Sequence, residues 1–451
     1  MKGWMLRVAG ATAVLVAAAT VYPAGSEGSP GNPIPQGQLT RSGPPHWVPG
    51  TFAPSGPVLD NFELLGHNHL GQDVDYGDLY GHGDHAYVGT RCGANLRGGR
   101  GVKVVDVSDP TNPTLVSTLA NPRFTRAEDV VVRDVNTPTF SGTLAVVGLQ
   151  LCFGSGHGNA PTGLTFFDVT DPAHPRPSGE WFLPPHTVGC HEIDLQQRPD
   201  GRVLAGCALN LNDHVAGLPG VRLVDATDPR SPFQVSEWTL GNDTFLGKGC
   251  LPFSWAHSVR FAHAGNSLWV SNWDAGTIHL DVSDPSMPTM LSRTRTLPTD
   301  EDGDNHSMTL AHDGEWLVVN VEDLSPSFCP GDSRLDGWGE TFVFDEANSS
   351  SPTLLGTFAT PNTYSDRADG WFTGHNTEVV GDDFYSSWYT DGIVWWTMGE
   401  DGTSTQVGQF VPPSHPQGPP LVWGVFPDQA NDLILASDIL SGLWVIRPIR
   451  G

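Results

Sequence analysis

Basic residues are scarce in this chain. It has 23 Lys and Arg against 50 Asp and Glu, a net charge of −27, with no run of cations. A phosphate backbone or an anionic membrane surface would repel such a molecule, which removes nucleic acid as a partner. The bland reading of the charge is solubility outside the cell. Also missing are a GxSxG elbow, an HExxH pair, a phosphate-binding loop and a dinucleotide fingerprint between a strand and a helix. Hydrolase and nucleotide chemistry therefore lack their mechanical parts. No CxxC occurs among the six cysteines, which argues against redox pairs and cysteine-rich zinc.

The apolar segment from Val8 to Val21 is short for a membrane span. It follows Lys2 and Arg7 and precedes small residues, so residues 1–26 read as a secretory signal peptide, with an uncleaved anchor as the alternative. Residues 27–57 form a Pro/Gly-rich disordered linker, and 58–451 the folded domain. A secreted chain, extracellular or periplasmic, with no membrane insertion after signal cleavage, follows. In that oxidising setting the cysteines pair. Cys190 and Cys207 flank a hairpin with the turn "RPDG", and Cys92 and Cys152 both end second strands of successive repeats. Cys250 and Cys329 then remain for each other.

What is abundant is glycine (53) and proline (38), the mark of many short strands joined by turns. An internal repeat fixes the reading. "GVKVVDVSDPTNPTLVSTL", "GLTFFDVTDPAHPRPSGEW", "GVRLVDATDPRSPFQVSEW" and "GTIHLDVSDPSMPTMLSRT" share one template, and "GETFVFDEANSSSPTLLGTF" is a degenerate fifth copy. Asp109, Asp171, Asp228 and Asp284 form its turns, because an aspartate bonds the backbone two residues on and proline presets φ. Two more strands precede each copy, making a four-stranded antiparallel unit. Units of this kind stack radially into an all-β, seven-bladed β-propeller, with inner strands starting near Tyr76, Glu128, His191, His257, His306, His375 and Trp423. The last unit lacks an outer strand, and the N-terminal "NFELLGH" is expected to supply it.

The turn pattern resembles the LVIVD-repeat propellers over nearly all of the chain after the leader. Two segments, "LWVSNWDAGTIHLDVSDPSMP" and "PHTVGCHEI", are similar to selenium-binding proteins, the family that includes methanethiol oxidase. That resemblance implies a copper site that oxidises a small thiol with O₂, and it matches His186 to the family's Pro-His-Thr segment.

With the repeats overlaid, His191, His257, His306 and His375 occupy one column, at the opening of the innermost strand, which also holds Glu128 and Trp423. Inner strands line the central channel, so the four imidazoles are expected to converge on its axis. A neutral imidazole set suits a transition metal ion: copper first, with iron or zinc as alternatives. Glu128, Glu192 and Asp304 are candidate carboxylates beside the set, with Glu128 also a candidate fifth ligand or general base. Glu128 and His186 are the candidate catalytic residues. His67, His69, His82 and His85 lie in Gly-rich loops and read as turn and surface groups. "DEDGDN" (300–305) has Ala311 where a calcium loop needs glutamate and reads as an acidic solvated loop. The functional expectation is a metal-dependent oxidoreductase acting on a small-molecule substrate. The alternative is a non-catalytic scaffold that binds protein or glycan through aromatic loops such as "SSWYTDGIVWW".

Overall fold

A computed structural model describes residues 56–450 except 72–73, 94–95, 153, 210–219, 241–254, 274, 295–303, 324–337, 347–351 and 365–368. The leader, almost all of the linker, Cys250 and Cys329 lie outside the described residues. No helix among those residues is long and apolar enough to cross a membrane.

Seven antiparallel sheets are arranged as propeller blades. The inner strand of each blade lies against that of the next, and the seventh lies against the first. These strands are Tyr76–His82, Val130–Asn136, Cys190–Gln197, Ala256–Ala262, Asn305–Ala311, Thr377–Val380 and Val422–Asp428. As the repeat implies, an N-terminal strand, Phe62–Asn68, completes the last blade by pairing with Gly442–Pro448. One strand was not foreseen: Val58–Asp60 pairs with Ser404–Val411 as a fifth strand of the sixth blade. The start of the domain thus closes the ring through two adjacent blades.

The Asp-Pro turns form for the expected reason. Asp109, Asp171, Asp228 and Asp284 each accept the backbone N–H two residues on, at 3.0–3.2 Å. Asp106, Asp168, Asp225 and Asp281 do the same one step earlier. These turns also join blades. Ser117 of the first blade donates to Pro172 O of the second at 2.6 Å, and Ser236 of the third to Pro285 O of the fourth at 2.6 Å. Two disulfides, Cys92–Cys152 and Cys190–Cys207, are those expected from spacing.

Two expectations are corrected by burial. In "SSWYTDGIVWW", Trp388, Tyr389 and Trp396 are fully buried and Trp395 nearly so. The segment is a hairpin packed between sheets, so its aromatic rings are core and offer no recognition loop. Of "DEDGDN", residues 300–303 lie outside the described residues, and its last two, Asp304 and Asn305, are buried where the fifth inner strand begins.

At Gly66 the closing strand presses on the first blade's turn: a Cβ there would stand 2.3 Å from Pro110 O. Gly66→Ala is expected to destabilise the domain by roughly 1–3 kcal/mol, as overpacking against backbone does. Gly56→Ala, where a Cβ meets nothing within 4 Å, should be neutral. Equal denaturation midpoints for the two variants would contradict closure through this contact.

Candidate metal centre

The histidines sit where the inner strands lose their register. Pairing skips between Cys190 and Ile193, between Ala256 and Ser258, and between Asn305 and Ser307, the positions of His191, His257 and His306. His375 N–H donates to Ser387 O while Ser387 N–H donates to Asn376 O, so one residue again faces two. The same skip falls at Trp423, and in the first blade at Gly77 and Asp78. A bulge re-aims the side chain of its extra residue. In the third to seventh blades it turns His191, His257, His306, His375 and Trp423 toward one another.

The rings follow one another around the axis. His191 Nε2 lies 2.9 Å from His257 Nε2. Ring centroids are 4.1 Å apart for His257 and His306, 4.1 Å for His306 and His375, and 4.2 Å for His375 and Trp423. Arg91 covers Trp423 at 4.4 Å. Glu128 then closes the circuit, 3.5 Å from Arg91 Nε, 2.9 Å from Arg126 Nη1 and 3.9 Å from His191 Nδ1. All seven blades contribute, and the four histidines occupy a contiguous arc.

Carboxylates stand against that arc. Glu192 Oε1 is 3.6 Å from His257 Nδ1 and from His306 Nε2. Glu322 Oε2 is 3.6 Å from His306 Nε2, and Tyr389 OH donates to its other oxygen. Three sets of donor atoms among the described residues are compact enough to hold an ion, each of two histidines and one glutamate: His191, Glu192 and His257; Glu192, His306 and His375; His257, His306 and Glu322. No such set contains three histidines, so an ion held by all four requires their rings to turn inward. His257, His306 and His375 are buried, and each ring approaches a backbone group of the next blade, at His306, His375 and Trp423 in turn, while His257 Nδ1, His306 Nδ1 and both ring nitrogens of His375 fall short of a well-aligned hydrogen bond. Buried polar groups are normally fully paired, so this weak pairing leaves donor capacity in three adjacent rings.

Electrostatics match a neutral donor set. Burial, and then the neighbouring imidazoles, hold His306 well below the usual histidine range, and burial does the same for His191 and His375. Burial holds His257 down to about 3. Burial pushes Glu322 up to about 8 and Glu192 well above the ordinary carboxylate range.

Of the residues singled out from sequence, His191, His257, His306, His375, Glu128 and Glu192 come together. His186 does not join them: it lies exposed in a turn, with φ 71° and its N–H donating to Gly158 O. Asp304 contributes its backbone carbonyl, which accepts from Glu322 N–H at 2.9 Å. His67 stacks on Trp444 at 3.8 Å, and His82 faces Asp134 at 3.3 Å, as strand and surface groups. Sequence reading missed Glu322, Tyr389, Arg91 and Arg126. A signal for Glu322 existed: it follows the second strand of its blade as Trp273 does in the blade before, each bonded to the residue two before the histidine.

Residues 78–120 and 260–296 match the LVIVD repeat. No curated protein matches the chain, so the similarity of two segments to selenium-binding proteins finds no support there. The β-propeller domain of Myceliophteria thermophila Cps50 (Swd1) superposes with a TM-score of 0.54 at 12% identity, covering 86% of this chain and 100% of that one. The periplasmic gluconolactonase PpgL of Pseudomonas aeruginosa gives 0.51 at 14%, covering 86% and 92%. A putative 6-phosphogluconolactonase from Bacteroides uniformis gives 0.46 at 13%, covering 81% and 89%. At these identities the first two share the fold with this chain and nothing further is carried over.

The buried carboxylates give the metal-free protein a pH dependence with a definite sign. Near pH 6.5 the unfolded chain still protonates the axial histidines that burial keeps neutral in the fold, and this opposes the carboxylates; above about pH 7.5 the histidines are neutral folded and unfolded alike. Glu322, raised by burial to about 8, then holds a proton in the fold that the unfolded chain has lost. Chelated protein should therefore lose stability as pH rises from about 7.5 to about 8.5, by up to ~1.4 kcal/mol per pH unit for that proton. A melting temperature that is flat or rises over that interval contradicts this.

Proposed function

We propose that the protein is a secreted metalloprotein of the oxidoreductase type, with one transition metal ion held on the propeller axis by His191, His257, His306 and His375. The observation that carries the reading is the arc of four imidazoles packed ring against ring, with Glu192 and Glu322 within 3.6 Å of its nitrogens.

The donor set favours iron, with copper second. Each compact triad combines two histidines and one carboxylate, the combination typical of non-haem iron, whereas copper was the first expectation from the imidazoles alone. His191 Nε2 and His257 Nε2, 2.9 Å apart, hydrogen-bond to each other, a contact that a bound ion would replace.

Bound there, such an ion supplies one-electron redox chemistry and a Lewis acid. The chain's own groups have separate tasks. Glu192 and Glu322 orient the imidazoles and stand near enough to ligate in their turn. Tyr389 holds Glu322 in place and keeps a phenolic proton beside the site. Gln150 Oε1, 3.2 Å from His191 Nδ1, positions that ring, and Glu128, clamped by Arg91 and Arg126, supplies a negative charge beside it. Trp423, covered by Arg91, walls the side of the ring that carries no histidine and excludes water there.

Untagged protein should contain about one iron or copper per chain by elemental analysis. The quadruple His191→Ala, His257→Ala, His306→Ala, His375→Ala variant should lose the ion and keep its β circular dichroism. Retention of the full metal content by that variant removes the axial site.

A further inference from the structure

The third blade meets the ring differently from its neighbours. The fourth, fifth and seventh inner strands skip one residue, whereas in the third Cys190 faces Leu209 and Ile193 faces Cys207, so that His191 and Glu192 together stand against Ala208. The first blade also skips two, but its Gly77 and Asp78 bring no histidine. Consecutive side chains of a regular strand point to opposite faces. Here both reach the ring: His191 Nε2 lies 2.9 Å from His257 Nε2, and Glu192 Oε1 lies 3.6 Å from His257 Nδ1 and from His306 Nε2. One bulge thus delivers two donors, and they enter two of the three compact triads.

A disulfide crosses this bulge. Cys190 and Cys207 do not oppose each other, since Cys207 stands two positions from Leu209, the partner of Cys190. In a regular antiparallel ladder such a diagonal pair lies about 7–8 Å apart, beyond the roughly 4.4–6.8 Å that a disulfide spans between Cα atoms. The Cα atoms of Cys190 and Cys207 are 5.1 Å apart. The bulge draws the diagonal in, and the bond in turn keeps the strand from returning to regular register. At the exit of the bulge Ile193 N–H donates to Asp129 Oδ2 at 2.7 Å, a second anchor from outside the blade. Both cysteines are fully buried, in the core shared by the second and third blades.

We infer that the Cys190–Cys207 disulfide is a positioning element of the axial centre: it holds the bulge that turns His191 and Glu192 together onto the ring, so that tight uptake of the ion requires this bond. The inference rests on the proposed metal site for its chemical meaning, while the hold on the bulge is measurable without metal. Closing the bond removes two protons and two electrons from the thiols, which a small disulfide such as oxidised glutathione accepts as it becomes two thiols. Exchange of this kind needs access to the sulfurs, and the finished fold buries them. Oxidation therefore precedes packing of the blades and metal loading.

Two measurements on the full chain test this. In metal-free protein, amide hydrogen exchange over residues 190–195 should be faster in the Cys190→Ala, Cys207→Ala variant than in wild type, with 305–309 unchanged. In a CoCl2 titration followed by visible absorption, the same variant should bind Co(II) about tenfold to a hundredfold more weakly, as loss of a group that orients ligands does, with an altered ligand-field spectrum. Should the alanine pair fold poorly, Cys190→Val, Cys207→Val, which keeps the core volume, is read in its place. Val224→Ala opens a cavity in the third strand of the same blade. It should lower the melting temperature and leave cobalt affinity as in wild type. Unchanged exchange over 190–195, cobalt affinity equal to that of a cobalt-binding wild type, or an equal loss of affinity in Val224→Ala overturns the inference. A wild type that takes up no cobalt, together with faster exchange over 190–195 in the cysteine variant, sinks the metal reading and leaves the disulfide as the holder of the bulge.

Discussion

Closure of the ring is the constraint on which the rest depends. Four histidines separated by up to 184 positions meet because each blade packs on the next and the last is bonded back to the first. Pairing of Phe62–Asn68 with Gly442–Pro448 does the closing, and Val58–Asp60 extends it to the neighbouring blade. An open ring would leave a strand edge exposed and let the blades splay, and the axis would lose its definition. The repeated bulge then converts a closed ring into a site. With the inner strands in regular register, the column residues would alternate with the pleat; the skip turns them onto one another.

Such a site is costly by itself. Imidazoles and carboxylates buried without full hydrogen bonding lose hydration that the fold does not return. The chain offsets part of this by neutrality: burial keeps the histidines deprotonated and the carboxylates of Glu192 and Glu322 protonated. Glu128 is treated differently, with two guanidinium groups against it. A cation bound among the neutral donors would satisfy the weakly paired ring nitrogens and draw protons off the carboxylates, coupling metal loading to stability.

The sequence was most legible where local physics repeats. Asp-Pro turns, alternating strands and the missing outer strand announced seven blades and their closure, since each depends on a few neighbouring residues. The column of His191, His257, His306 and His375 was visible because radial symmetry maps a sequence register onto a place in space. Glu322 and Tyr389 were harder to see: they follow second strands, where "VVNVEDL" and "SSWYTDG" read as ordinary strand ends. The aromatic residues of the latter suggested a recognition surface, yet alternating Trp and Tyr at strand spacing also fills the space between sheets, and here it does. The bulges left no sequence mark at all, because they arise from register between strands and not from residue type. Arg91 and Arg126 carry no repeat signal either, since each occurs in one blade only.

The central claim is that these four imidazoles grip a single ion. An anomalous difference map, collected at the iron and copper absorption edges from crystals of untagged protein, tests it directly. One peak bounded by His191, His257, His306 and His375 is the predicted result. A map without a peak on the axis, with His191 and His257 bonded only to each other through Nε2, would contradict the account and leave a closed propeller whose axial histidines are structural.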